Sequence, residues 1–188
     1  NHGVSIVGWD DDYPSSNFKT GKQPEGNGAW LVKNSWGDTW GLDGYFWLSY
    51  YDRTIDQVTS FQGESTDNYD NIYQYDYLGL ASAMQYTPNK SETGVANVFT
   101  AKGNEEIQAV SAVTLAPDST VSVKIYKVPA RATQPVPENA ELIAEQSKTI
   151  AHSGYHTIEL DTPAAVAAGE KFSVVQVIKG GDNKWYTP

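Results

Sequence analysis

Short segments in which apolar and polar residues alternate fill the second half of this chain, and they constrain its fold most strongly. Within residues 121–128, for example, Val121, Val123 and Ile125 alternate with Ser122 and Lys124, so one face of a strand can be buried while the other meets water. Segments of this kind lie at residues 96–100, 107–115, 121–128, 155–160 and 172–178. Because turn-forming residues separate them, they predict an antiparallel β-sandwich or jelly roll.

The first 52 residues are also predicted to form strands. Their short apolar runs at residues 4–9, 29–33 and 45–51 are rich in β-branched and aromatic side chains, which is typical of strands. The polar stretch 10–27 contains Gly and Pro and predicts a long surface loop or an irregular hairpin. Helical periodicity is weak, and its best candidate, residues 140–145, is short. The whole chain is therefore predicted to be mainly β.

Changes in amino-acid composition and pattern divide the chain into three regions. Residues 1–52 form the first, residues 53–70 are a polar connector, and residues 71–188 form a second domain that we expect to be truncated. The connector is predicted to be either a flexible tether or a segment pinned by Ile55, Val58 and Phe61. The chain ends on strand-like residues, 184–188, without a polar tail, and it begins as abruptly at Asn1-His2. We therefore expect it to be a piece of a longer protein.

Composition excludes several classes of function. The net charge of −10, with no cluster of Lys or Arg, argues against nucleic-acid binding. No run of about 18 or more apolar residues is present, so no membrane span is predicted. The chain contains 0 Cys, which removes disulfides, thiolate metal sites and any cysteine nucleophile of its own.

An ordered set of motifs in the first region carries the chemistry. It consists of Asn1-His2-Gly3-Val4, Gly8-Trp9, Lys33-Asn34-Ser35-Trp36-Gly37, Trp40-Gly41 and Gly44-Tyr45. Taken singly, each motif has an ordinary explanation, such as turn chemistry for Asn34-Ser35. Taken together and in this order, the set resembles the C-terminal half of the papain-like cysteine proteases. The loop that separates His2 from Asn34 is longer than usual, and loop length is a freely varied property.

The resemblance implies a role for each of three residues. His2 matches the base that activates the thiol, Asn34 matches the residue that orients the imidazole, and Trp36 matches the indole that shields their hydrogen bond from water. It also implies that Gly37, Gly41 and Gly44 lie in tight turns where a Cβ would clash.

The same resemblance assigns the nucleophilic cysteine and an oxyanion-binding glutamine to an N-terminal half that this sequence does not contain. We therefore expect the chain to be inactive alone, and to act on a protein or peptide substrate only with that missing half. Without it, one face of the β-barrel half would be exposed, so we expect either association with another chain or packing of the second domain onto that face.

Residues 71–188 resemble the lectin-like β-sandwich module of exported bacterial and archaeal papain-like proteases. The resemblance is carried by the segments 71–76, 96–99, 106–110, 154–158 and 169–174. Such a module could bind a cell-wall glycan on an aromatic surface, or it could be a rigid accessory domain, which we favour. The candidate aromatic residues are Tyr73, Tyr75, Tyr77, Tyr86 and Trp185, of which the first three are predicted to alternate along one strand.

Two further groups of polar residues are weighed as metal sites and set aside. The run Asp10-Asp11-Asp12 lacks the spacing of a calcium loop and is interpreted as a solvated acidic loop. His152 and His156 lack a third ligand and are interpreted as surface residues. No cofactor is therefore predicted.

Two functions remain after these exclusions. The first is a fragment of a secreted or cell-surface papain-like cysteine endopeptidase fused to a lectin-like accessory domain. The alternative is a carbohydrate-binding or scaffolding module whose protease part is vestigial. A pseudoenzyme that has lost its nucleophile ranks lowest, because His2, Asn34 and Trp36 are all intact.

Overall fold

The computed structural model describes residues 2–77, 79–80, 82–86 and 93–187. They divide into two compact units, Asn1–Asn68 and Tyr69–Pro188. Strands are the main regular structure in both units, and the strands of every sheet are antiparallel. Within the described residues, no helix has the length and apolar character needed to cross a membrane. The mainly β fold class expected from the sequence is confirmed.

The first unit is built on a three-stranded sheet with the order β1-β2-β3. Its strands are β1 (Ser5–Asp10), β2 (Ala29–Lys33) and β3 (Tyr45–Ser49). The central strand carries the fully buried side chains Ala29 and Val32. The prediction for residues 29–33 is confirmed at both ends, whereas β1 begins and ends one residue later than predicted and β3 ends two residues earlier.

The long loop after β1 is ordered by contacts with β3. Its only regular element is a single 3-10 turn, Ser15–Asn17. The ring of Tyr13 stacks on Trp47 with 4.5 Å between ring centroids. The Tyr50 hydroxyl donates a 2.7 Å hydrogen bond to Oδ1 of Asp11. The loop between His2 and Asn34 therefore contacts Trp47 of β3 and Tyr50, which directly follows β3.

The Tyr50–Asp11 contact predicts a pH dependence. Burial of the ring, followed by the hydrogen bond to Asp11 and the charges of Asp11 and Asp10, raises the pKa of Tyr50 to about 12. Since this pKa lies above the unfolded value of about 10, the contact stabilises the fold below about pH 10 and is lost as pH rises toward 12. We expect Asp11→Asn to lower the pKa of Tyr50, but not fully to 10, in an NMR titration of ring carbons. An unchanged titration curve would contradict the contact.

The described residues of the second unit form eight strands. They are β4 (Met84–Tyr86), β5 (Gly94–Thr100), β6 (Glu105–Thr114), β7 (Ser119–Val128), β8 (Glu141–Ile150), β9 (Gly154–Val166), β10 (Lys171–Lys179) and β11 (Trp185–Thr187). One sheet follows the order β4-β11-β10-β7-β8, with β5 also paired to β10, and β6 pairs with β9 in a second sheet.

Both sheets contribute to one apolar core. Val121, Val123 and Ile125 of β7 are buried in it, as the two-residue period predicts. They share the core with Ile158 of β9 and Phe172 of β10. Because side chains alternate across a strand, each sheet supplies one face to this core and turns its other face away from it.

The strand predicted for the alternating tyrosines is wrong, and two weaker alternatives, a helix at residues 140–145 and a connector pinned at three residues, do not match the structure. Residues 140–145, the best helical candidate, belong largely to β8, which pairs with β7 along its length. Residues 71–77, which contain the alternating tyrosines, form no strand. Of the three anchors considered for the connector, only Ile55 is half-buried, whereas Val58 and Phe61 are exposed.

Candidate active site

The histidine and asparagine of the motif set meet at one end of the first sheet. Nε2 of His2 lies 2.7 Å from Oδ1 of Asn34, across 32 residues of sequence. His2 precedes β1 and Asn34 follows β2, and these two strands are antiparallel, with Ser5 opposite Lys33. The start of β1 therefore lies beside the end of β2, which brings the two side chains together.

Backbone groups fix the orientation of Asn34. Its own N–H donates to the carbonyl of Gly44 at 2.9 Å, and the Ser35 N–H donates to the side-chain Oδ1 at 2.8 Å. An amide N–H can only donate, so the atom that it meets must be the oxygen of the Asn34 side chain rather than its nitrogen. Asn34 is also 8% exposed, and its rotamer is therefore well determined.

This orientation also fixes the tautomer of His2. Since Oδ1 of Asn34 accepts, Nε2 of His2 must carry the proton that it donates. In the neutral imidazole the second nitrogen, Nδ1, is then an acceptor. The free ring nitrogen of neutral His2 is therefore Nδ1, and His2 itself is exposed.

Three aromatic rings continue from His2 in a row. The Trp36 ring lies 5.0 Å from the His2 ring, and Trp40 meets Trp36 edge-on, also at 5.0 Å. Phe46 of β3 in turn meets Trp40 edge-on at 5.6 Å. Trp36 therefore contacts His2 on one side and Trp40 on the other, and it remains 58% exposed.

The motif glycines have two different structural reasons. A Cβ at Gly41 would lie 2.5 Å from the Tyr45 carbonyl oxygen, and one at Gly44 would lie 2.9 Å from the Gly37 carbonyl oxygen. Both clashes were expected. Gly37 has open space around it, and the clash expected there is wrong. Its φ of 87°, in the left-handed region, is the feature that favours glycine.

Sequence reasoning missed the groups that support the pair. These are the Ser35 N–H, the Gly44 carbonyl and the Phe46 ring. The two backbone groups carry no side-chain signal and could not be found from residue types. Phe46 follows the Gly44-Tyr45 motif directly, but an aromatic residue within a strand is ordinarily a packing residue.

Of the tyrosines considered as a sugar platform, Tyr73 is half-buried, whereas Tyr75 and Tyr77 are exposed. The Tyr73 hydroxyl donates to Oε2 of Glu105 at 2.5 Å and accepts from the Lys102 N–H at 2.8 Å. Burial and the bond to Glu105 raise the pKa of Tyr73. Tyr75 stacks on Phe99 at 5.0 Å. Of the other candidates, Trp185 lies under Nζ of Lys179, Tyr77 is exposed, and the side chain of Tyr86 lies outside the described residues.

The acidic and histidine groups also make local contacts. Oδ1 of Asp10 accepts from the Asp12 N–H at 2.9 Å, while Asp11 accepts from Tyr50. Nε2 of His156 lies 2.9 Å from the carbonyl oxygen of His152. Across the described part of the chain, no three His, Asp or Glu residues are grouped as metal ligands would be.

Comparison with family models assigns both units. Residues 72–187 match the lectin-like domain, and residues 1–62 match the papain family of cysteine proteases. This chain belongs to the lectin-like domain family and carries a papain-family segment before it. The lectin-like match begins shortly after the boundary between the two compact units.

Curated relatives of the papain-family segment are animal proteins. Testin-2 of Rattus norvegicus is 45% identical over 49 residues, which are 26% of this chain and 12% of the relative. Cathepsin O of Homo sapiens is 47% identical over 45 residues, which are 24% of this chain and 10% of the relative. The chain thus spans only about a tenth of the curated relatives that it matches.

Solved structures extend the likeness across both units. The clostridial cysteine protease Cwp84 after propeptide cleavage aligns with 97% of this chain and 45% of its own, at 28% identity and a TM-score of 0.67. The protease and lectin-like domains of Cwp84, described as a surface layer associated protein of Clostridium difficile, align with 97% of this chain and 40% of that one, at 26% identity and a TM-score of 0.58. The lectin-like domain therefore follows a papain-family segment in this chain and in Cwp84.

Proposed function

We propose that this chain supplies the base and its orienting residue to a papain-like cysteine endopeptidase. The observation that carries the proposal is the 2.7 Å contact between Nε2 of His2 and Oδ1 of Asn34, with Oδ1 fixed by the Ser35 N–H. A base is useful only if its reacting nitrogen is in the correct protonation state. Here Asn34 holds the proton on Nε2 and leaves Nδ1 as the acceptor.

In this proposal Nδ1 of His2 takes the proton of a cysteine thiol. The thiolate attacks the carbonyl carbon of the substrate peptide, and the imidazolium then returns the proton to the departing amine. Asn34 stabilises the imidazolium by accepting from Nε2 throughout. Trp36 keeps water from the Asn34–His2 hydrogen bond, which strengthens it.

The nucleophile is assigned to a polypeptide segment outside these 188 residues, because they contain 0 Cys. The same segment would supply the oxyanion donor that acyl transfer requires. By itself the chain is proposed to be inactive, and its natural substrate is a protein or peptide that binds the longer protease.

The lectin-like unit is proposed to be an accessory domain of an exported, cell-surface protease. The description of Cwp84 as surface layer associated supports this location. The half-burial of Tyr73 and its hydrogen bond to Glu105 remove this ring from a sugar-binding platform, which favours a rigid accessory role.

Peptide hydrolysis by two proteins tests the proposal. We expect the chain alone to give no turnover of a fluorogenic peptide in the presence of a thiol reductant. We expect a longer protein that includes the cysteine-bearing segment to hydrolyse the peptide and to lose this activity on treatment with iodoacetamide. Turnover by the chain alone that survives His2→Ala would contradict the proposal.

A further inference from the structure

The connector between the two units has an unusual stretch of backbone. All residues from 56 to 68 are exposed, and the nearest half-buried side chains are Ile55 before them and Tyr69 after them. None of these residues lies in a strand or helix. Apart from a turn at residues 66–67, no backbone N–H or carbonyl from 56 to 68 pairs with another backbone group. Their hydrogen bonds are local, such as that from Asn68 to Glu64.

Two large apolar side chains lie within this stretch. Phe61 is 93% exposed and Val58 is 72% exposed. Exposing an aromatic ring to this extent is unfavourable, and neither residue contributes to the apolar core of the second unit. Their exposure on unpaired backbone makes them available to a pocket on another molecule.

Exposure of the side chain alone does not distinguish Phe61. Trp9 and Tyr155 are each 68% exposed. However, Trp9 pairs with Trp30 within β1 and β2, and Tyr155 pairs with Val113 within β9 and β6. An endopeptidase must bind its substrate as an extended, unpaired segment, and releasing residues 9 or 155 would first require local unfolding. Phe61 requires none, and it is more exposed than Tyr77, which is 79% exposed and also lies outside the strands.

We propose that residues 56–68 are a processing site, at which an endopeptidase with a pocket for a large aromatic side chain separates the two units. Hydrolysis breaks the peptide bond between Phe61 and Gln62. Water supplies the hydroxyl group to the Phe61 carbonyl carbon and a proton to the Gln62 nitrogen. Because the cut lies outside both sheets, the paired strands of each unit stay intact.

Limited proteolysis with chymotrypsin tests the inference on the full chain. The chain offers 5 Phe, 12 Tyr and 6 Trp, so a first cut after Phe61 is a selective result. At low enzyme and short times, we expect the intact masses of fragments 1–61 and 62–188 to appear before any others. A first cut after Trp9, Phe18 or Tyr155, or within residues 69–92, would overturn the inference.

Two variants make the test specific. We expect Phe61→Ala to slow the appearance of the first fragments by about tenfold or more, because the aromatic anchor is lost. Tyr155→Ala, which removes an equally large ring from a paired strand, is expected to leave the first cut and its rate unchanged. Equal rates for the parent chain and Phe61→Ala would overturn the assignment of Phe61, since the site would then be used without its anchor.

Discussion

Replacing His2 with alanine in the longer, cysteine-bearing protease is expected to lower kcat/KM by about 10³-fold. General acid–base catalysis contributes roughly 10²- to 10⁴-fold, and this variant removes the proton acceptor at Nδ1 together with the group that protonates the leaving amine. Asn34→Ala should cost less, about 10²-fold, because the imidazole remains but loses the acceptor that fixes its tautomer. Steady-state hydrolysis of a fluorogenic peptide measures both losses.

The matched control for these variants is His156→Ala. His156 lies on β9, where it contacts the carbonyl of His152, and it is not part of the proposed site. We expect kcat/KM to change by less than about twofold. If His156→Ala reduced activity as strongly as His2→Ala does, or if His2→Ala retained full activity, the assignment of His2 as the base would be wrong.

The largest expected effect on stability is that of Phe172→Ala. Phe172 is among the largest fully buried side chains, and its ring meets Tyr73 at 5.3 Å and Phe99 at 5.6 Å. Truncating a buried Phe typically costs about 3–5 kcal/mol, through lost apolar burial and the cavity that remains. In differential scanning calorimetry we expect the transition of the lectin-like unit to move to lower temperature by more than 10 °C.

Phe61→Ala is the matched control, since the same side chain is removed from an exposed position. Substitutions away from packed features usually change stability by less than about 0.5 kcal/mol, and both calorimetric transitions should stay in place. If Phe61→Ala shifted the transition of the lectin-like unit as far as Phe172→Ala does, Phe61 would have to be packed in the native state. That result would contradict both the exposure of Phe61 and the processing site.

The residue types of the proposed site were visible in the sequence, whereas its supports were not. His2, Asn34 and Trp36 lie in motifs whose order is itself informative, and the structure brings them together. The Ser35 N–H and the Gly44 carbonyl depend on backbone geometry, which residue identity does not encode. Gly37 shows the same limit. A positive φ and a crowded Cβ both select glycine, so the sequence cannot tell which of the two applies at a given position.

The sequence is misleading where the local pattern of a segment favours one structure and its tertiary contacts impose another. Residues 140–145 contain good helix formers, but pairing with β7 makes them part of a strand, and tertiary contacts override such weak propensity. Residues 71–77 alternate as a strand would. Instead, Tyr73 and Tyr75 contact Phe99, and Tyr73 also bonds to Glu105, without any partner strand. In contrast, residues 121–128 were predicted well because one buried face leaves little freedom of register.

The position of β11 has a consequence for folding during synthesis. This strand, Trp185–Thr187, lies between β4 and β10, and it pairs Thr187 with Met84. Strands β1 to β3 can pair once residue 49 has left the ribosome, whereas β4 must wait for a neighbour about a hundred residues later in the chain. Such distant pairing is intrinsically slow. The His2–Asn34 pair can therefore be assembled on the nascent chain before the lectin-like sheet is complete.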